Sequence, residues 1–81
     1  MQAIMRVYAV FDRLAEECGP LFEQKNDQVA LRAYRNMLKQ QSSAPEEFQL
    51  LWIGTMDHDK CRFVANDIPV EIVNGKEVPN A

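Results

Sequence analysis

The sequence predicts a single small α+β domain, with one amphipathic helix packed on one face of an antiparallel sheet of about four strands. Three observations carry that expectation. An apolar stripe at helical spacing follows Asn26-Asp27, runs rich in β-branched and aromatic residues lie on both sides of it, and 81 residues leave room for one domain only. The expected order is β-β-α-β-β, with an α+β core over residues 1–65 and a C-terminal arm or edge hairpin over residues 66–81.

Ile4 to Phe11 alternates apolar side chains with enough β-branching and aromatic content to favour a strand. Met5, Val7, Ala9 and Phe11 fall on one face, and Arg6 and Tyr8 share the other with Ile4 and Val10. Both faces are apolar, which suits a central strand. Asp12 to Gly19 reads as a connection in which Leu14 to Cys18 makes one helical turn, ended by Gly19-Pro20. Leu21 to Lys25 is then a short second strand.

Asn26 and Asp27 are both helix-capping residues, because a short side-chain oxygen can accept a bond from an orphan N–H of the first turn. After them Ala30, Ala33, Tyr34, Met37 and Leu38 define one apolar stripe, and the helix is expected from Asp27 to Gln41. Ser42, Ser43, Ala44 and Pro45 stop it. Phe48 to Thr55 reads as a strand, Asp57 to Lys60 as a polar turn and Cys61 to Ala65 as the returning strand. In the tail, Asn74-Gly75 separates two alternating runs, a strong hairpin signal, with Pro69 and Pro79 as brackets.

The charge balance is acidic, with a net charge of −3, which argues against a nucleic-acid coat relying on bulk positive charge. Cys18 and Cys61 do not form a disulfide framework and suit a reducing compartment. The apolar opening carries Arg6 and no small-residue cleavage site, so it is not expected to act as a secretory signal. No apolar run is long enough to span a bilayer, and no membrane partner is expected. A core this small is marginal, so pairing with a second copy would help.

No constellation here suits catalysis, a metal or a cofactor, and the chain is expected not to be an enzyme. His58 sits between Asp57 and Asp59, where the simpler reading is a turn whose aspartates bond to backbone amides. The adjacent pairs Glu16-Glu17 and Glu46-Glu47 point apart, and Gly19, Gly54 and Gly75 form no phosphate loop.

The basic residues are more informative. Arg32, Arg35 and Lys39 stand three and four apart on the helix, opposite the apolar stripe, and Arg6 comes from the first strand. The plain reading is a solvated helix face; the functional one is a stripe that contacts phosphates. Tyr8 and Trp52 could stack on bases if the uncovered sheet face were a nucleic-acid platform, or could simply pack. The candidate nucleic-acid-binding residues are therefore Arg6, Tyr8, Arg32, Arg35, Lys39 and Trp52. Phe11, Phe22, Phe48 and Phe63 are assigned to the core.

Several segments in order resemble one family. Tyr8-Ala9-Val10-Phe11-Asp12, Gly19-Pro20-Leu21-Phe22 and Lys25-Asn26-Asp27 before Val29-Ala30-Leu31-Arg32 look like the small non-structural protein of gokushoviruses. Pro45-Glu46-Glu47-Phe48-Gln49-Leu50, Ile53-Gly54 and the acidic turn at Asp57 continue the pattern, over about residues 5 to 65. Gokushoviruses are Microviridae, tailless bacteriophages with single-stranded DNA genomes. The resemblance implies a non-structural, DNA-binding or replication-associated protein of the host bacterial cytoplasm, assisting the switch to single-stranded genome synthesis. Its partners would be single-stranded DNA or phage or host replication proteins. The acidic balance departs from a DNA-binding label. The alternative is a homodimeric adaptor of phage or host factors that never touches nucleic acid.

Overall fold

Alternating β-branched and aromatic residues take the first segment into strand β1 (Ile4–Asp12). The structure, a computed structural model, describes residues 4–40 and 45–79. Beyond β1 come β2 (Glu17–Gln24), helix α1 (Asp27–Lys39), a 3-10 turn (Pro45–Glu47), β3 (Phe48–Asp57), β4 (Arg62–Val73) and β5 (Lys76–Pro79). All five strands join one open antiparallel sheet in the order β2-β1-β3-β4-β5. The chain thus leaves β2 at one edge, passes through α1, and returns as β3 on the far side of β1. One helix on one face of an antiparallel sheet is the expected fold class, with a fifth strand.

Two hairpins turn on the same chemistry. Asp12 accepts hydrogen bonds from the N–H groups of Leu14 (3.0 Å) and Ala15 (3.1 Å), and Asp57 accepts from those of Asp59 (3.0 Å) and Lys60 (3.3 Å). Each turn closes on a residue in the left-handed region, Glu16 (φ 57°) and Cys61 (φ 52°). This corrects the helical turn expected over Leu14 to Cys18. The Asp12 side chain holds a turn over Arg13–Glu16, and the strand resumes at Glu17.

Gly19-Pro20 does not break the chain either. Ala9 pairs with Leu21 and Phe11 with Cys18, so Gly19 and Pro20 together oppose Val10 in a bulge. Pro20 is tolerated because β2 is an edge strand whose outer side makes no ladder. Glycine is required beside it, since a Cβ on Gly19 would stand 2.6 Å from the Val10 carbonyl oxygen.

Asn26 caps α1, its side-chain oxygen accepting from the Val29 N–H at 3.0 Å. The buried stripe is Ala30, Leu31 and Tyr34, with Met37 and Leu38 packed beside it. Lys39 is the last helical residue; the expected end at Gln41 and the stop residues Ser42, Ser43 and Ala44 lie outside the described residues, and Pro45 opens the 3-10 turn.

The returning strand is longer than its apolar run suggests. β4 continues through Pro69 to Val73, because residues 66–69 bulge out opposite Ile53 and pairing resumes at Val70 with Trp52. Positions 65 and 66 therefore lie within one strand, and Ile72, beyond them, joins the core. Asn74 (φ 52°) and Gly75 (φ 82°) make the expected tight turn into β5 at the sheet edge.

The core lies between helix and sheet: Tyr8, Val10, Ala30, Leu31, Tyr34, Leu50 and Ile72, with Phe22, Phe48, Trp52 and Val70 packed against it. On the opposite face Val7, Ala9 and Leu51 are buried while Leu21 and Phe63 stand open. Phe63, expected in the core, is 47% exposed.

Candidate functional site

Alternation places Arg6 and Tyr8 on the helix side of β1, and there they meet the first residue of α1 (Asp27). The Tyr8 hydroxyl donates to the Asp27 carboxylate at 2.6 Å, and the Arg6 guanidinium donates to the same oxygen at 2.9 Å. Arg6 also reaches Glu77 of β5 at 2.7 Å. Its guanidinium carbon lies 3.8 Å from the centre of the Trp52 ring, a cation–π contact. Trp52 is fixed by its indole N–H donating to the Gly54 carbonyl at 2.8 Å and by Asn66 donating to its own carbonyl at 3.0 Å. Tyr8 stacks on Phe22, with ring centres 5.8 Å apart.

The electrostatics follow from enclosure. Burial pushes the Tyr8 phenol well above its ordinary value, and donation to Asp27 adds to the effect. Burial also works to raise Asp27, but the neighbouring Glu77, the Tyr8 hydroxyl and the Arg6 charge outweigh it and hold the carboxyl below its usual value. Burial opposes the Arg6 charge, while Glu77 and Asp27 more than compensate and raise its pKa.

This geometry revises the sequence-based candidates. Tyr8 is fully buried and cannot stack on a base. Trp52 lies on the helix side and not on the open face, with one ring face taken by Arg6. Arg6 in turn is held by two carboxylates. The sequence hid this arrangement because Asp27 reads as a cap alone, and Glu77 lies 71 residues from Arg6.

The helix cations stand differently. Arg32, Arg35 and Lys39 are all exposed on the outer face of α1, and none forms an ion pair among the described residues. Arg35 also borders a cavity of about 250 Å³ between α1 and the ends of β3 and β4, where Leu31, Tyr34, Leu50 and Ile72 form the wall. Among the described residues Arg32, Arg35 and Lys39 thus form a cationic stripe free of ion pairs.

The face away from the helix carries a second candidate surface. Val7, Leu21, Ile53, Met56 and Phe63, with Glu23, line a concavity of about 360 Å³. Leu21 is 59% exposed there. Phe63 lies over Gly54, where any Cβ would run into its ring. At the end of this face His58 pairs with the Glu23 carboxylate, tying the β3–β4 turn to β2. Cys18 and Cys61 are both exposed free thiols.

Among the described residues no helix is long and apolar enough to cross a membrane, and no three His, Cys, Asp or Glu side chains gather as metal ligands.

The sequence profile described as Phage ORF5 protein matches residues 5–78. The chain is 33% identical over 82 residues to Protein ORF5 of Chlamydia phage 1, covering 90% of this chain and 85% of that protein. That phage is a gokushovirus, in agreement with the resemblance carried by Tyr8 to Asp12 and Lys25 to Arg32. No solved structure matches. A profile match running from β1 to β5, together with that relative, makes the chain a member of the phage ORF5 protein family.

Proposed function

We propose that this protein works by binding and not by catalysis, as a replication-associated phage protein that holds single-stranded DNA weakly by its phosphates and so assists the switch to single-stranded genome synthesis. Arg32, Arg35 and Lys39 on α1 are the contacting residues. The observation that carries this reading is their shared exposure on one helix face, with no ion-pair partner among the described residues. Family membership is compatible with it. Tyr8, Trp52 and Arg6 support the fold instead of touching bases, so sequence preference should be slight.

Anisotropy of a labelled oligonucleotide, followed over a range of salt, tests this directly. Three phosphate contacts at roughly −0.7 each give a log–log salt slope of about −2. Replacing Arg32, Arg35 and Lys39 together with glutamate should abolish the signal. Salt-insensitive binding, or none at the lowest salt, would end the DNA reading.

The apolar concavity favours a second reading, an adaptor of phage or host factors using the sheet face away from the helix. It predicts that Leu21→Ser abolishes partner capture while oligonucleotide binding is untouched.

A further inference from the structure

Among the described residues the sheet presents three outer edges without a neighbouring strand, and two of them are blunted. β2 carries Pro20, a bulge and the charges of Glu17 and Glu23. β5 is four residues long and ends on Pro79. The third is the first half of β4. β5 pairs only with Val70 to Val73, so from Arg62 to the bulge at residues 66–69 β4 has β3 on one side and no strand on the other. That stretch is Arg62-Phe63-Val64-Ala65-Asn66, with Val64 55% and Phe63 47% exposed. Between Arg62 and the bulge, Phe63-Val64-Ala65 leaves an apolar edge without proline or charge, and such an edge is a template for another strand.

We propose that the occupant is a second copy of this chain, joined through antiparallel pairing of β4 with its counterpart about a twofold axis at Val64. The paired segment is self-complementary. Val64 faces Val64 of the partner, Phe63 faces Ala65, and Arg62 faces Asn66, so no like charges are opposed. Because the strands run antiparallel, the Asp67 end of each segment, in the bulge beyond the paired residues, comes alongside the Lys60–Arg62 end of the other. Lys60, Arg62 and Asp67 are exposed and without an ion pair among the described residues. The bulge ends the pairing at the same distance on both sides of Val64. An axis perpendicular to the sheet keeps both helices on one side, which doubles the Arg32, Arg35 and Lys39 stripe. It also brings the two Phe63-lined concavities onto one continuous apolar face. This supplies the dimer that the adaptor reading needs, but it rests on the β4 edge alone, and the oligonucleotide titration can fail without it.

Sedimentation of the full chain over micromolar to millimolar concentrations tests the proposal. The expected species has twice the 9.3 kDa chain mass. Val64→Lys places two ammonium groups across the axis and should weaken association by about a hundredfold or more. Far-ultraviolet circular dichroism would establish that the variant stays folded. Register is read separately in chains carrying Cys18→Ser and Cys61→Ser. There Val64→Cys should oxidise to a covalent dimer, since directly opposed residues lie within disulfide reach. Phe63→Cys should not, because its own counterpart is diagonal, about 7–8 Å away. A strict monomer at millimolar concentration, or a dimer that survives Val64→Lys, would overturn the proposal. So would cross-linking by Phe63→Cys in preference to Val64→Cys.

Discussion

On the helix side of the sheet polar groups satisfy one another around a buried tyrosine, whereas on the far side apolar groups meet solvent. Tyr8 and Arg6 both donate to Asp27, and Arg6 donates also to Glu77, so the four side chains form one connected set. The far face has Leu21 and Phe63 in the open, with the His58–Glu23 pair at its end. Arg6, a cation inside the helix-side network, is committed to structure, while an exposed side chain on either surface remains available for contact. Substitutions inside the network should therefore act on stability, and substitutions on the outer surfaces on association.

The largest effect should come from Tyr8→Ala. It removes a fully buried ring from the core and leaves Asp27 without the hydroxyl that donates to it. Truncating a buried aromatic costs about 3–5 kcal/mol, a large part of the stability of a small domain. Urea denaturation followed by circular dichroism should show a lost or greatly weakened transition. A normal midpoint would mean that the helix-side network is not where stability resides.

Gly54→Ala sharpens the contrast from the other face. The new methyl would stand 2.6 Å from the Val64 carbonyl oxygen and against the Phe63 ring. Overpacking of this kind costs about 1–3 kcal/mol. Because it must displace Phe63, it should also alter association, which Tyr8→Phe should not.

The pH dependence of the network has a definite sign. Asp27 has its pKa lowered from 3.8, so its contribution is complete above that value and is lost as pH falls through the folded pKa. Tyr8 is the mirror case. Its pKa is raised from 10.0, so its contribution is complete below pH 10 and is lost as pH rises beyond it. Urea midpoints should form a plateau between these limits. Asp27→Asn should lower the plateau by about 1.5–3 kcal/mol, the size of a charge-assisted hydrogen bond, and flatten its acid side. An acid limb unchanged in Asp27→Asn would remove Asp27 from the account.

What could be read from the sequence divides along the range of the interactions. Asn26 and the apolar stripe behind it are local, so the helix was legible, as were the turn at Asn74-Gly75 and the alternation of β1. Gly19-Pro20 misleads, because whether it breaks a strand depends on whether that strand is at an edge, which only the assembled sheet decides. The returning strand expected to end at Ala65 runs on to Val73 for a related reason. Residues 66–69 interrupt the pattern of β4 without ending it, since Ile53 opposite them allows a bulge. Tyr8 and Trp52 looked available because alternation gives two faces and does not say which one the helix covers. The Arg6–Glu77 contact, between chain ends, had no local signal at all.

The smallest stability effect belongs to the helix cations. Arg32, Arg35 and Lys39 replaced by glutamine should change the urea midpoint by no more than about 0.5 kcal/mol each, because exposed side chains without partners have little to lose. Glutamine keeps a helix propensity close to that of Arg and Lys, so α1 itself is preserved. Its last turn does lose Lys39, whose charge is favourable near the negative end of the helix dipole, so a small decrease is expected from that position alone. Against this near-silent background, oligonucleotide affinity should fall steeply and lose its salt slope. If affinity and slope were instead unchanged, the cationic stripe would be no more than the wet side of an amphipathic helix, and binding would have to be sought on the face that holds Leu21 and Phe63.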